Sequence, residues 1–273
     1  ELRPNPPKPP QTKRRPRMPK PATDFNSDPL FVGYLPVPAP LVRFLQWTVP
    51  TLGLVIVALA IAAAGSRPDP GPAVWNDAKA REFKGTLVVD PYPLLVAPSE
   101  TTGSFPTVYL VVEMGKHGGR ADLSALSGRS VTLSGWLLER DGRRLIELEP
   151  GEKSVRLDSD HPAIRAQREK LGPVALEGEI VDSKCYLGAM KPGEGKTHKA
   201  CATLCIRGGM PPMLVTPSAD GGRDYVLLID TSGGELSSDF WPLISEPVQV
   251  TGELESLGDL RILRLVPNQI RPL

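Results

Sequence analysis

The longest uncharged segment of the chain lies between Arg43 and Arg67, and it constrains the fold more than any other feature. Its 23 residues are enough for an α-helix to cross the hydrocarbon core of a bilayer. Trp47 suits the membrane interface, and Pro50 falls in the first turns, where a missing hydrogen-bond donor costs least. We therefore predict one transmembrane helix, preceded by an interfacial stretch, within residues 29–66.

Charge is distributed unevenly around this segment, although the 273-residue chain has a formal net charge of only +1. Residues 1–28 contain seven basic and three acidic side chains, a balance of +4, so the rest of the chain carries 25 − 28 = −3. The same stretch includes eight prolines and few large apolar side chains, which is typical of an extended basic tail. Because positive charge stays on the cytoplasmic side, we expect a cytoplasmic N-terminus and extracytoplasmic C-terminal domains. In a bacterium, the helix would lie in the inner membrane and the domains in the periplasm.

Beyond a short linker, 67–78, the chain repeats itself. Five segments recur in the same order, and the last two pairs share an offset of 117 residues. The paired segments are 83–90 with 176–182, 93–99 with 212–218, 109–112 with 225–228, 131–135 with 248–252, and 145–150 with 262–267. Ordered recurrence of this kind indicates two copies of one structural unit. We place the copies at 79–158 and 173–273, and we predict a connecting helix at 159–172 that ends at Gly172.

Each copy contains about five short strands separated by Gly, Asp and Pro turns. A helical segment falls between the third and fourth strands, at 121–127 in the first copy and at 235–244 in the second. This layout resembles an OB-type barrel. The predicted fold class is therefore membrane-anchored and all-β, with one N-terminal transmembrane helix followed by two tandem OB-like five-stranded β-barrel repeats.

The two copies differ by one insertion, 183–211, between the first and second strands of the second copy. Two residues separate Asp90 from Pro93 in the first copy, whereas 29 residues separate Asp182 from Pro212 in the second. The insertion holds all three cysteines and one of the three histidines of the chain. These residues are Cys185, His198, Cys201 and Cys205. Their concentration in the one segment that distinguishes the copies is the sharpest functional signal.

The spacing of these four residues predicts a metal site. Residues 197–207 indicate a short helix that places the histidine and two of the cysteines at i, i+3 and i+7, on one face. With Cys185 folded back, three thiolates and one imidazole form a closed tetrahedral set, which favours zinc over copper. One metal ion is therefore the expected cofactor.

Other interpretations of the cysteines remain open. In an oxidising compartment, Cys185 would form a disulfide with Cys201 or Cys205, which would staple the insertion and leave one free thiol. A second alternative is that the thiols pack as small apolar groups against a partner. A third is that an imidazolium at His198 makes Cys201 a reactive thiolate.

Several functional classes lack support in the sequence. Aromatic residues make up 5% of the chain and the external part is net negative, which argues against a nucleic-acid partner. The sequence Gly195-Lys196-Thr197 resembles the end of a phosphate-binding loop, but Met190 stands where that loop requires glycine, so we expect no nucleotide. No nucleophile elbow or catalytic triad is recognisable.

We expect from these features a non-catalytic, single-span accessory subunit of a bacterial membrane respiratory or other oxidoreductase complex. Its partners would be the membrane and the other subunits of that complex, and its periplasmic part would hold the Cys3His metal or structural site. The alternative is a free-standing periplasmic protein that handles metal, such as a copper assembly factor, or a thiol-redox protein that uses the same four residues.

Overall fold

The computed structural model describes residues 37–66, 73–99, 104–119, 121–165, 167–219 and 221–273. The predicted basic tail and most of the predicted interfacial stretch lie outside the described residues, as does the first half of the predicted linker. Helix α1 and the β-rich remainder belong to different compact units, and the second unit, Pro70–Leu273, contains every described strand.

Helix α1 spans Ala39–Gly65 and has the length and apolar composition needed to cross a membrane. Pro50 lies inside it, and the neighbouring Thr48 and Thr51 donate hydroxyl hydrogen bonds to backbone carbonyls four residues earlier. None of the residues of α1 is buried. The prediction of one apolar helix able to span a membrane is confirmed, and its orientation stays a prediction.

The first six strands form one sheet, sheet A. Their bounds are β1 Val74–Val88, β2 Leu94–Ala97, β3 Thr107–Val112, β4 Ser130–Arg140, β5 Arg143–Leu148 and β6 Val155–Leu157. They pair in the order β1-β2-β3-β5-β4-β6, and β1 also pairs with β4, so five strands close into a barrel. A short 3-10 helix, Ala121–Leu126, lies between β3 and β4, where the sequence predicts one. The barrel of the first repeat is thereby confirmed.

The last six strands form sheet B. Their bounds are β7 Arg168–Asp182, β8 Pro212–Pro217, β9 Arg223–Asp230, β10 Pro247–Leu257, β11 Leu260–Leu265 and β12 Ile270–Pro272. They pair in the order β11-β9-β8-β7-β10-β12, with an additional pairing of β10 and β11. A 3-10 helix at Ser238–Leu243 precedes β10. We describe sheet B as a six-stranded sheet, and the second barrel stays a prediction.

The two sheets share an apolar core. One buried cluster contains Leu94 and Leu110 of sheet A together with Val181 and Leu227 of sheet B, and it also includes Cys185. Burial of such side chains is the main stabilising contribution, at roughly 25 cal/mol per Å² of apolar surface removed from water. The repeats are therefore packed together as one compact unit.

Turns at the ends of two hairpins bind the neighbouring repeat. Asp259, in the turn between β10 and β11, accepts a hydrogen bond from the backbone N–H of Val108 at 2.8 Å. In the opposite direction, the hydroxyl of Tyr225 donates to Asp141, in the turn between β4 and β5. Each repeat thus uses the same hairpin to contact the other repeat, as expected for two copies of one unit.

The predicted connecting helix at 159–172 is wrong. The described residues of 159–167 are not helical, and β7 begins at Arg168, which pairs with Leu257 of β10. Gly172 does not end a helix; its positive φ of 101° stands where the register between β7 and β10 shifts. The helical composition of this segment is outweighed by pairing with a long neighbouring strand. The first repeat also begins earlier than predicted, because β1 starts at Val74.

Candidate metal centre

The cysteines lie where the chain leaves β7 and returns to β8. A short helical turn, Cys185–Ala189, follows β7, and helix α2, Lys199–Arg207, precedes β8. Cys201 and Cys205 are four residues apart on α2 and therefore lie on one face of it, as predicted. His198 immediately precedes α2, and its carbonyl accepts the N–H of Ala202 at 2.9 Å, so the helix begins two residues later than the sequence predicts.

The three thiols form a compact group. The Sγ atom of Cys185 lies 4.0 Å from Sγ of Cys201 and 3.9 Å from Sγ of Cys205. All three sulfur atoms lie within 4.8 Å of one another, and none of them forms a disulfide. Around a metal with bonds to sulfur of about 2.3 Å, sulfur atoms stand about 3.8 Å apart in a tetrahedral site and about 4.0 Å apart in a trigonal one. The observed spacing therefore suits coordination of one ion.

His198 belongs to a second group that overlaps the first. Its Nε2 atom lies 3.1 Å from Oδ2 of Asp182, and ligand atoms of Asp182, Cys185 and His198 lie within 4.8 Å of one another. Cys185 is shared by both groups, so it links His198 to the cluster of three thiols. Asp182 was not predicted as part of the site. Its position at the end of a strand, three residues before Cys185, was the available signal.

Asp182 holds both partners in place. Its side chain is fully buried, and Oδ1 accepts a hydrogen bond from the backbone N–H of Cys185 at 2.8 Å. In the tautomer in which Nε2 of His198 carries the proton and donates to the other oxygen, Nδ1 is the nitrogen left with a lone pair. This carboxylate–histidine arrangement is common beside metal-bound imidazoles, where it fixes the tautomer.

Lys116 of the first repeat also contacts the thiols. Its Nζ atom lies 2.8 Å from Sγ of Cys201 and 3.4 Å from Sγ of Cys205. The hydrogen bond with Cys201 is the largest of the contributions that raise the pKa of Lys116, so the amine stays protonated. Sequence reasoning missed this residue, because 85 positions separate it from Cys201.

The two buried thiols are electrostatically unequal. The pKa of Cys205 is lowered, chiefly because Cys185 hydrogen-bonds to it and further because the Lys116 ammonium is close. The pKa of Cys185 is raised, first by that same hydrogen bond and then by burial. Cys205 is therefore the more acidic of the two thiols, and Cys185 is the one that keeps its proton more strongly.

A loop of the first repeat, residues 113–118, is fixed against the insertion by two sets of contacts. The buried Nζ atom of Lys184 donates to the carbonyls of Glu113 at 3.0 Å and Gly115 at 2.8 Å. The N–H of Gly118 donates to the carbonyl of Gly208 at 2.8 Å, just after α2. These contacts hold the backbone on either side of Lys116.

The residues of the centre differ in their exposure to solvent. Cys185, Cys205 and His198 are buried, whereas Cys201 is half-buried and Lys116 is exposed. Of the three thiols, Cys201 is therefore the most accessible to solvent. The arrangement has two chemical capacities: three thiolates hold a soft or borderline metal, and neighbouring thiols lose two electrons and two protons to form a disulfide.

No protein-family model, curated protein or solved structure matches this chain. Its function is therefore argued from the chemistry of its own residues.

Proposed function

We propose that the protein is a membrane-anchored, non-catalytic accessory subunit of a bacterial membrane respiratory or other oxidoreductase complex, and that its β-rich domain binds one metal ion. The metal site is supported chiefly by the sulfur–sulfur distances, which are 4.0 Å from Cys185 to Cys201 and 3.9 Å from Cys185 to Cys205. Zinc is the favoured ion, because three thiolates and the His198 imidazole make a closed tetrahedral set.

The anchoring and orientation rest on α1 and on charge. An apolar helix of 27 residues precedes the β-rich unit, and the 28 N-terminal residues carry a net charge of +4. By the positive-inside rule, the tail stays in the cytoplasm and the metal centre lies in the periplasm. We also propose that both repeats are OB-like barrels, which is supported for the second by the pairing of β10 with both β7 and β11.

Elemental analysis combined with a thiol count tests the metal site. The full chain is purified from membranes in mild detergent without a chelator. We expect one zinc per chain and three thiols that react with an alkylating reagent only after the zinc is removed. Absence of metal, with one reactive thiol, would contradict the metal site and support a disulfide.

Native size measurement tests the accessory role. After gentle detergent extraction, we expect the chain to migrate in an assembly much larger than 29.5 kDa plus its detergent. A monomer that takes up copper and passes it to an acceptor would contradict this role and support a metal-handling protein.

A thiol-redox protein is the second candidate. It is favoured by the lowered pKa of Cys205 and by the partial exposure of Cys201 beside an ammonium group. In that reaction, two thiols would become one disulfide while a disulfide of a partner protein is reduced to two thiols. A mass decrease of about 2 Da on oxidation, with full loss of two reactive thiols, would identify it.

A further inference from the structure

We propose that Lys116 is the charge-compensating residue of the metal centre, and that its hydrogen bonds to the thiolates of Cys201 and Cys205 raise the affinity for the metal. This inference rests on the proposed metal-binding function. It assigns a role in the centre to the first repeat, which supplies none of the four proposed ligands.

The ammonium of Lys116 contacts two of the sulfur atoms directly. Nζ lies 2.8 Å from Sγ of Cys201 and 3.4 Å from Sγ of Cys205, which is within hydrogen-bonding reach of both sulfurs. A metal-bound thiolate keeps lone pairs that accept such bonds. Bonds of this kind draw charge from the sulfur and are among the outer contacts that tune metal sites.

Charge balance explains why the centre needs a cation. Three thiolates with one divalent ion carry a net charge of −1, and the neutral imidazole of His198 does not change it. Two of the three sulfur ligands, Cys185 and Cys205, are buried, and an uncompensated charge in such a place is costly. The Lys116 ammonium brings the charge of the ion, its four ligands and this cation to zero, and the buried carboxylate of Asp182 adds one further negative charge beside His198.

The position of Lys116 is enforced by the fold. Lys184, which immediately precedes Cys185, donates to two carbonyls of the loop that carries Lys116. A side chain at Gly208 would overlap the backbone oxygen of Lys116, so the absence of a Cβ there allows the close approach of loop and helix. The residue next to one ligand thus positions the loop whose ammonium contacts the other two.

Zinc competition with a chromophoric chelator tests the role of Lys116 on the full chain in detergent. We expect Lys116→Met to weaken zinc binding about ten- to a hundredfold, the range for loss of an outer contact of a metal ligand. Lys116→Arg should restore most of the affinity, because it keeps both charge and donors. Lys153→Met, which removes an exposed lysine elsewhere in the first repeat, is the matched control and should bind like the wild type.

Cobalt substitution supplies a readout that a structural role would not move. In the cobalt form, loss of the hydrogen bonds raises the energy of the sulfur lone pairs. The sulfur-to-cobalt charge-transfer band should therefore shift to lower energy in Lys116→Met and stay in place in Lys116→Arg. Lys116→Gln provides a second neutral variant, should the methionine variant be poorly folded by circular dichroism.

The possible outcomes separate this inference from the proposed function. If the wild type binds zinc and both neutral variants bind it equally well with an unshifted cobalt band, the role of Lys116 is overturned and the metal site stands. If the wild type binds neither zinc nor cobalt, the metal site itself is overturned, and the role of Lys116 with it.

Discussion

Nζ of Lys116 lies 2.8 Å from Sγ of Cys201, although the two residues belong to different repeats and are 85 positions apart. The contact joins the exposed loop after β3 to the helix of the insertion. It is accompanied by a buried ion pair of 2.7 Å between Lys184, next to Cys185, and Glu147 of β5. The insertion is therefore both the candidate metal centre and part of the interface between the repeats.

Cys185 is the sulfur on which the metal centre depends most, because it contacts both other thiols and belongs to both ligand groups. We expect Cys185→Ser to weaken zinc binding at least about a hundredfold, since a hydroxyl is a much poorer ligand than a thiolate. The measurement is the stoichiometry and affinity of zinc in the purified chain. Leu204→Ser, on the exposed side of α2, is the control and should leave both values unchanged. Full zinc binding by Cys185→Ser would exclude the three-thiol site.

The Asp182–His198 pair predicts a second effect on affinity. In Asp182→Asn, the side-chain amide would donate to Nε2 and move the ring proton to Nδ1, where it blocks coordination. We expect zinc affinity to fall about ten- to a hundredfold. Asp158→Asn is the matched control, because Asp158 makes a similar 3.0 Å contact with the exposed His161 outside the site. Equal affinities of the two variants would show that Asp182 does not support zinc binding through His198.

Much of the fold could be predicted because it depends on patterns that are local or repeated. The apolar run before Arg67 defines α1, and the recurring segments give the places of the strands along the chain and of the helix between β3 and β4. The connecting helix could not be predicted correctly, because the state of residues 168–172 is decided by pairing with β10. Local composition carries no information about that partner strand.

The candidate site likewise contains residues that could be predicted from the sequence and one that could not. Cys185, His198, Cys201 and Cys205 were found because an insertion in one of two copies is visible in the sequence. Lys116 was not found, because its role follows from how the two repeats pack. The loop that carries Lys116 contains no motif that indicates a metal site. Its contact with Cys201 depends on how the chain continues after α2, where Gly208 accepts a hydrogen bond from Gly118.

The orientation of the membrane helix is testable with reporters. A C-terminal fusion to alkaline phosphatase, attached after the exposed Leu273, should be active because that enzyme folds outside the cytoplasm. A fusion to green fluorescent protein at the same position should not fluoresce, because that protein would be exported unfolded and would not mature. The physical reason is the +4 charge of the N-terminal tail, which keeps that end in the cytoplasm. Activity with the opposite pattern would place the metal centre in the cytoplasm.

Gly208 links the packing of the repeats to the metal centre. A methyl group there would overlap the carbonyl oxygen of Lys116, so Gly208→Ala should displace the loop and cost about 1–3 kcal/mol of unfolding free energy. Zinc affinity should fall as well, because the ammonium moves with the loop. Gly234→Ala is the control, since its added Cβ would come no closer than 3.5 Å to Ser232. Urea unfolding and zinc competition measure the two effects, and unchanged zinc affinity in a destabilised Gly208→Ala would separate packing from metal binding.

Glu179 of β7 predicts how the stability of the β-rich unit changes with pH. Its Oε1 accepts the N–H of Gly195 at 2.6 Å, but burial outweighs this bond and raises the pKa of the carboxyl above 4.5. The folded state therefore binds this proton more tightly than the unfolded chain does. The contribution of Glu179 to stability is present below the pKa of the unfolded chain and is lost as pH rises through the raised pKa of the folded state. Glu179→Gln keeps an acceptor oxygen and removes the buried charge. We expect it to unfold at a higher urea concentration than the wild type at pH 7, with the difference shrinking toward pH 4.

The control is Glu177→Gln, because Glu177 is exposed on the same strand, and this variant should show little change. A gain that is the same at both pH values would exclude the charge of Glu179 as its cause.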